Sequence, residues 1–263
     1  MCFDIDSRPP IAPIAGGALD GRLVTLAAAD GNRLAAFLAR AAEPTGAGVV
    51  ILPDVRGLHP YYEELALRFA EHGVDAVTID YFGRTAGADR RGADFEFMPH
   101  VATTTWAGIS ADIAAGVAAV RAADGDRAGA SSVFTIGFCM GGRMSFLAAT
   151  LGLELDGVIG LYGTLAGSWR NDAPSPLEAM TSFGAPVLGL FGGADESITP
   201  EDVQAFDAGL ATAGVPHRLV TYPGAPHSFF DRKAADFGEA SADAWEQILR
   251  FIGEWTEGTL IAP

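Results

Sequence analysis

Apolar residues fall along this chain in two alternating patterns. Short continuous runs, Gly48 to Leu52, Val74 to Ile79, Val133 to Phe138, Gly157 to Tyr162 and Pro186 to Phe191, have the length and composition of strands buried on both faces of a parallel sheet. His217 to Tyr222 reads as a last strand. Between the runs, apolar positions recur at helical period: Leu65, Leu67, Phe69 and Ala70 after Pro60 and up to Gly73, then Trp106, Ile109, Ile113, Val117 and Val120 behind a cap expected at Thr103 or Thr104. Thr199-Pro200-Glu201-Asp202 opens a helix ending near Gly214, and Trp245, Ile248, Leu249, Ile252 and Trp255 mark a final one. Ahead of these, Arg22 to Ala28 and Leu34 to Leu38 form a predicted hairpin about Asp30-Gly31-Asn32, preceded by an irregular lead-in over residues 1–20. Thr85 to Pro99 is a polar excursion, and Gly163 to Phe183 a loop with one short helix. This order predicts an α/β fold in one domain, residues 1–263. A mainly parallel sheet of about eight strands, with an antiparallel N-terminal hairpin, carries helices on both faces.

The run Val133-Phe134-Thr135-Ile136-Gly137-Phe138-Cys139-Met140-Gly141-Gly142 carries the strongest chemical signal. A strand ends beside a glycine, one reactive side chain follows, and two more glycines lead into a helix beginning about Met144. A nucleophile elbow needs that spacing, because it forces the nucleophile into strained dihedrals and brings strand and helix too close for side chains. Serine is the usual occupant; here it is Cys139. A thiol titrates near 8.5, and a helix N-terminus and an imidazole lower that value, giving a thiolate that attacks carbonyl carbon. Free cysteines ordinarily serve as small buried hydrophobes, so it is the glycine frame that sets Cys139 apart.

A thiol that turns over needs a base, and the base needs an orienting carboxylate. His227 stands in the loop after the last strand and Asp195 in the tight turn Gly192-Gly193-Ala194-Asp195 after the one before. Nucleophile, acid, histidine is the chain order of the α/β-hydrolases. Glu196 and Asp202 are rival acids, although Asp202 falls in a first helical turn, where it complements the dipole. His72, His100 and His217 read as structural or surface residues, and His59, near the Asp54 turn, as a candidate pocket residue. The backbone N–H groups of Met140 and Val55 are the candidate oxyanion donors. Asp54, Arg84, Cys139, Asp195 and His227 each follow a predicted strand and are expected to meet at one sheet edge.

Composition narrows the partners. The formal charge of −16 argues against nucleic acid and anionic membranes, and Lys233 is the only lysine, so a local cationic site must be built from arginine. No run has the length of a membrane span, and the start lacks the basic and apolar regions of a signal peptide, which points to the cytoplasm. Cys2 and Cys139 make no disulfide framework, and no pair has the spacing of a metal site.

The motifs GFCMGG around Cys139, FGGADESITP around Asp195, YPGAPHSFFDR around His227 and LPDVRGLH resemble those of the dienelactone hydrolases, or carboxymethylenebutenolidases, over about Val49 to Phe251. The resemblance implies a Cys139, Asp195, His227 triad that opens an enol-lactone without metal or cofactor. It also implies that Arg84, in DYFGR, binds a substrate carboxylate. The family's glutamate after the early strand corresponds to Asp54 here, and its second arginine, four residues after the histidine, to Asp231, with Arg232 one later. Arg56 and Arg143, near the elbow, are further candidates for an anion. The expected function is a cofactor-free hydrolase of a small lactone or ester through a Cys139 thioester, with a dienelactone-like anion favoured. A broader esterase or thioesterase is the alternative, and a non-catalytic binding protein on the same fold the contrasting class.

Overall fold

The computed structural model describes residues 3–4, 6–169 and 172–256. Strands β1 (Ala18–Ala27), β2 (Arg33–Ala41), β3 (Ala47–Leu52), β4 (Asp75–Ile79), β5 (Ser132–Phe138), β6 (Gly157–Leu161), β7 (Val187–Gly192) and β8 (His217–Tyr222) build one sheet in the order β1-β2-β4-β3-β5-β6-β7-β8. Pairing is antiparallel for β1 with β2 and β2 with β4, and parallel from β4 onward. The first hairpin turns at Gly31, whose φ of 85° suits the tight reversal between Ala28 and Asn32. β2 runs on to Ala41, and Ala18 pairs with it, so order begins inside the expected lead-in. From β3 the chain moves out to β4 and then back across to β5. That reversal opens a crevice at the carboxyl ends of β3 and β5.

Helices α1 (Pro60–Glu71), α2 (Gly83–Ala86), α3 (Phe97–Val101), α4 (Trp106–Arg121), α5 (Met140–Ala148), α6 (Pro176–Ala179), α7 (Pro200–Ala213) and α8 (Gly238–Trp255) flank the sheet. Val50 and Thr135 are register partners on one face: Gly116 of α4 sits against Val50, and Ser145 of α5 hydrogen-bonds Thr135 at 2.8 Å. On the other face Phe134 meets Phe251 of α8, and α8 reaches α1 through Trp245 and Phe69, 4.8 Å apart. The cap of α4 is Thr105, whose hydroxyl accepts from the Gly108 N–H, and not Thr103 or Thr104. Those two hydroxyls instead donate to the carbonyls of His100 and Val101, closing α3, a helix the sequence pattern did not indicate. The excursion is held down by Arg91, buried on Asp80 at 2.8 Å and lying over Phe95.

Arg84, expected at the substrate, is paired with two carboxylates of the protein. Its Nη1 donates to Asp112 Oδ2 at 2.6 Å and its Nη2 to Asp30 Oδ2 at 2.6 Å and Asp112 Oδ1 at 3.1 Å. Asn32 Nδ2 donates to the same Asp112 carboxylate at 2.9 Å, so the β1–β2 turn, α2 and α4 are tied at one buried acid. The family resemblance did not register this because Asp30 and Asp112 are far from DYFGR in sequence.

The elbow depends on close approach. A Cβ on Gly137 would lie 1.9 Å from the Gly141 carbonyl oxygen, and one on Gly141 would lie 2.0 Å from that of Leu52. Neither obstacle is a side chain that can turn away. Gly141→Ala is therefore expected to cost roughly 3 kcal/mol or more as overpacking against backbone. Gly238→Ala, where a Cβ meets nothing within 4 Å, should be neutral or slightly stabilising. Urea unfolding of both variants checks this, and equal midpoints would refute the packing argument. In the same assay Arg84→Ala should lose roughly 2–4 kcal/mol, because it strands the Asp112 side chain, which is fully buried, while the exposed Asp30 pair adds little. An unchanged midpoint would free Arg84 for another role.

Candidate active site

Cys139 joins β5 to α5 at φ 55° and ψ −115°, a conformation that a side-chain-bearing residue adopts only when its surroundings impose it. They do so through the two glycine contacts and through hydrogen bonds on both sides of the peptide: the Cys139 N–H donates to the Leu161 carbonyl, and its own carbonyl accepts from the Arg143 N–H. The thiol is left half-buried at the first turn of α5. Met140 opens that helix, so its N–H has no partner within the helix and points toward the same end.

Asp195 and His227 arrive on two loops that are stitched together. The Gly193 N–H donates to the Tyr222 carbonyl at 2.8 Å and the Ala194 N–H to the Ala225 carbonyl at 2.9 Å, fixing the turn after β7 against the loop after β8. His227 Nδ1 then meets Asp195 Oδ2 at 2.7 Å. The other oxygen, Oδ1, accepts from the Ser197 hydroxyl at 2.6 Å and the Ser197 N–H at 2.9 Å. Burial pushes the Asp195 carboxyl up, but His227 and Ser197 outweigh it and hold the group below its ordinary range. For His227, burial opposes the cation, yet hydrogen bonds to Asp195 and Cys139 push its pKa up to about 9. Cys139, His227 and Asp195 thus form one connected chain.

A cavity of about 560 Å³ holds Cys139, Asp195 and His227 together, walled by Thr164, Trp169, Glu196 and Ser197. Of the rival acids, Glu196 lines the wall while Asp195 takes the histidine, and Asp202 lies in the first turn of α7. His72, His100 and His217 are held elsewhere, by the Arg68 carbonyl, the Thr85 hydroxyl and the Val215 carbonyl with Asp207.

The expected anion-binding residues are not brought to this cavity. Arg84 lines a separate space of about 110 Å³ with Tyr81 and Ile109. Asp54 is buried in the turn after β3, where the Arg56 guanidinium lies 3.0 Å away and the Arg56 N–H donates at 2.8 Å. Burial resists the Asp54 charge, but Arg56 and the neighbouring His59 hold its pKa at about 2. His59 Nε2 stands 3.9 Å from Asp54, beyond hydrogen-bond reach, and burial lowers its own pKa. Val55 lies partly buried in the same turn, and Arg232 is exposed beyond the histidine loop. Arg143 is buried and faces backbone carbonyls of the loop after β6. Sequence reasoning missed Ser197, although an acid two residues before a serine is a turn signal. It also missed Thr164 and Trp169, which lie in a loop with no periodicity to flag them. Cys2 lies outside the described residues. Among the described residues no His, Cys, Asp and Glu side chains cluster as a metal site, and no helix is long and apolar enough to cross a membrane.

Comparison with known proteins agrees with this architecture. A provisionally named carboxymethylenebutenolidase of Salmonella typhimurium is 29% identical over 258 residues, covering 94% of this chain and 93% of the relative. The crystal structure of a provisionally assigned dienelactone hydrolase from Klebsiella pneumoniae superposes with a TM-score of 0.75 at 25% identity, covering 89% of this chain and 98% of that one. A dienelactone hydrolase-like promiscuous phosphotriesterase from metagenomic libraries shares the fold, with a TM-score of 0.71 at 23% identity over 91% of this chain and all of its own. The model of the dienelactone hydrolase family matches residues 34–256, and the chain, a hydrolase with an α/β-hydrolase sheet, belongs to that family.

Proposed function

We propose that this hydrolase opens a small lactone or ester through a thioester on Cys139, in a triad with His227 and Asp195. The observation that carries the reading is a cysteine held at positive φ on the elbow, in one cavity with a histidine whose Nδ1 is fixed by a buried carboxylate. The Cys139 thiolate attacks the carbonyl carbon, and the carbonyl π electrons move onto oxygen, where the Met140 and Val55 N–H groups receive the charge. When that oxygen re-forms its double bond, the C–O bond to the alcohol or enol breaks, and the leaving oxygen takes a proton from the His227 imidazolium. A water, deprotonated by His227, then attacks the thioester, and the C–S bond breaks to return the thiolate and release the acid. Asp195 stabilises the imidazolium throughout without being protonated.

The family resemblance favours a dienelactone-like anion. Arg56, Arg84 and Arg143 are each engaged within the protein, so the proposal rests on the reacting carbonyl rather than on charge recognition. A small molecule reached from the cytoplasm remains the proposed substrate.

Residues acting as one unit lose activity together. Cys139→Ala and His227→Ala should each remove at least about a thousandfold of kcat on p-nitrophenyl acetate, and the double variant should be hardly worse than either. Single losses that multiply in the double variant would exclude a shared mechanism.

The coupled pair also fixes a pH dependence. Because the His227 pKa is raised from 6.5 to about 9 in the folded protein, the stability its cation contributes is complete below 6.5 and lost as pH rises through about 9. The urea midpoint of wild type relative to His227→Ala should therefore fall across that window. Over the same range, alkylation of Cys139 by iodoacetamide should persist to lower pH in wild type than in His227→Ala. In His227→Ala its midpoint should move toward the free-thiol value of about 8.5. Superimposable alkylation profiles would mean that His227 does not hold the thiolate.

A further inference from the structure

Arg143 lies on α5 one turn after Cys139, and it is 1% exposed. A guanidinium this deep ordinarily faces a carboxylate. This one faces carbonyl oxygens: Nη1 donates to Ala166 at 3.1 Å, and Nη2 to Gly167 at 2.7 Å and Pro174 at 2.9 Å, with Thr164 at the edge of reach. Its Nε has no hydrogen-bond partner among the described residues. All the acceptors belong to the loop that follows β6, so the buried charge is satisfied only while that loop is folded over the helix. The approach is close, since a Cβ on Gly163, at the start of the loop, would lie 2.5 Å from the Arg143 backbone nitrogen.

The same loop supplies Thr164 and Trp169 to the wall of the Cys139 cavity. The Trp169 indole N–H is buried and makes no hydrogen bond among the described residues, so no bond of its own fixes the ring. Its position is inherited from the backbone that carries it. A further side-chain anchor on that backbone is Asp172 Oδ1, which accepts from the Trp106 N–H at 2.6 Å.

We propose that Arg143 is a positioning residue that sets the substrate range of this hydrolase, by gathering the loop carbonyls so that Thr164 and Trp169 form a fixed wall beside Cys139. The proposal rests on the thioester reading for its kinetic readout but not for its spectroscopic one. Lysine keeps the charge at this position but not the planar fork that reaches several carbonyls at once.

The test compares wild type, Arg143→Lys and Arg143→Gln on p-nitrophenyl acetate, p-nitrophenyl octanoate and naphthyl acetate, which probe the wall from the acyl and the alcohol side. In both variants KM for at least one bulky ester should change at least about fivefold more than KM for p-nitrophenyl acetate, with kcat changing by a common factor on all three. In parallel, the Trp169 fluorescence component, isolated by difference against Trp169→Phe, should become at least about twofold more quenched by acrylamide. KM ratios unchanged from wild type, or Trp169 quenching unchanged from wild type, overturns the proposal. A wild type that hydrolyses none of the three esters overturns the thioester reading, and the quenching of Trp169 then decides the role of Arg143 by itself. If Arg143→Gln does not fold, Arg143→Lys carries both measurements.

Discussion

The whole site hangs on how closely α5 approaches the sheet. Only glycine fits at positions 137 and 141, where the neighbouring carbonyl oxygens stand about 2 Å from where a Cβ would be. That approach forces the chain to reverse within one residue, and the residue at the reversal, Cys139, takes a positive φ that its side chain disfavours. The strain is local and the compensation distributed: the β3–β5 and β5–β6 ladders and the packing of α5 over-determine the turn. In return, the thiol projects from the end of a parallel strand at the point where the sheet changes direction, beside the amide groups of a helix N-terminus. Stabilising an anion there needs no side-chain movement.

Buried charge is handled in three different ways around this point, and the differences bear on function. Asp112 is neutralised by Arg84, locking the hairpin turn to α4. Asp54 is neutralised by Arg56 within a single turn after β3, and it does not line the cavity of Cys139. Arg143 hydrogen-bonds no carboxylate among the described residues and relies on loop carbonyl dipoles, with the Thr164 hydroxyl at 3.4 Å. A carboxylate partner would attach the guanidinium to one side chain; several carbonyls attach it to the path of a loop. The group of Cys139, His227 and Asp195 adds a fourth arrangement, in which Asp195 and the thiol both favour the imidazolium.

The fold was legible because its pattern is redundant. Each buried run from Gly48 onward is bounded by glycine, proline or a capping residue, and the strand assignments stand to within a residue or two. The cap of α4 was displaced by one or two residues because three successive threonines offer equivalent hydroxyls, and only the end of α3, absent from the periodicity, decides which is free to cap. Likewise the meeting of Cys139, Asp195 and His227 was legible because each follows a strand. Arg84 also follows a strand, yet it pairs with Asp30 and Asp112 outside the Cys139 cavity, because position along the sheet edge says nothing about which acids the folded chain brings to meet it. Asp30 and Asp112 come from a turn and a helix, and no local rule connects either to DYFGR.

What could not be read was the wall of the cavity, and the reason is physical rather than accidental. Elements that carry catalytic groups must be rigid, so they are built from periodic packing that leaves a trace in the sequence. A wall needs only a shape, and a loop takes its shape from hydrogen bonds between backbone groups and whatever donor reaches them, which no spacing of apolar residues encodes. Arg143 joins the two regimes: its Cα sits on the most strongly specified helix of the chain, one turn from the nucleophile, and its guanidinium ends among the least patterned residues. On the proposal above, this side chain passes the rigidity of the elbow to Thr164 and Trp169, beside the anchor at Asp172. If the proposed thioester chemistry holds, two proteins with the same elbow glycines can then differ in the substrates they admit through the loop after β6 alone.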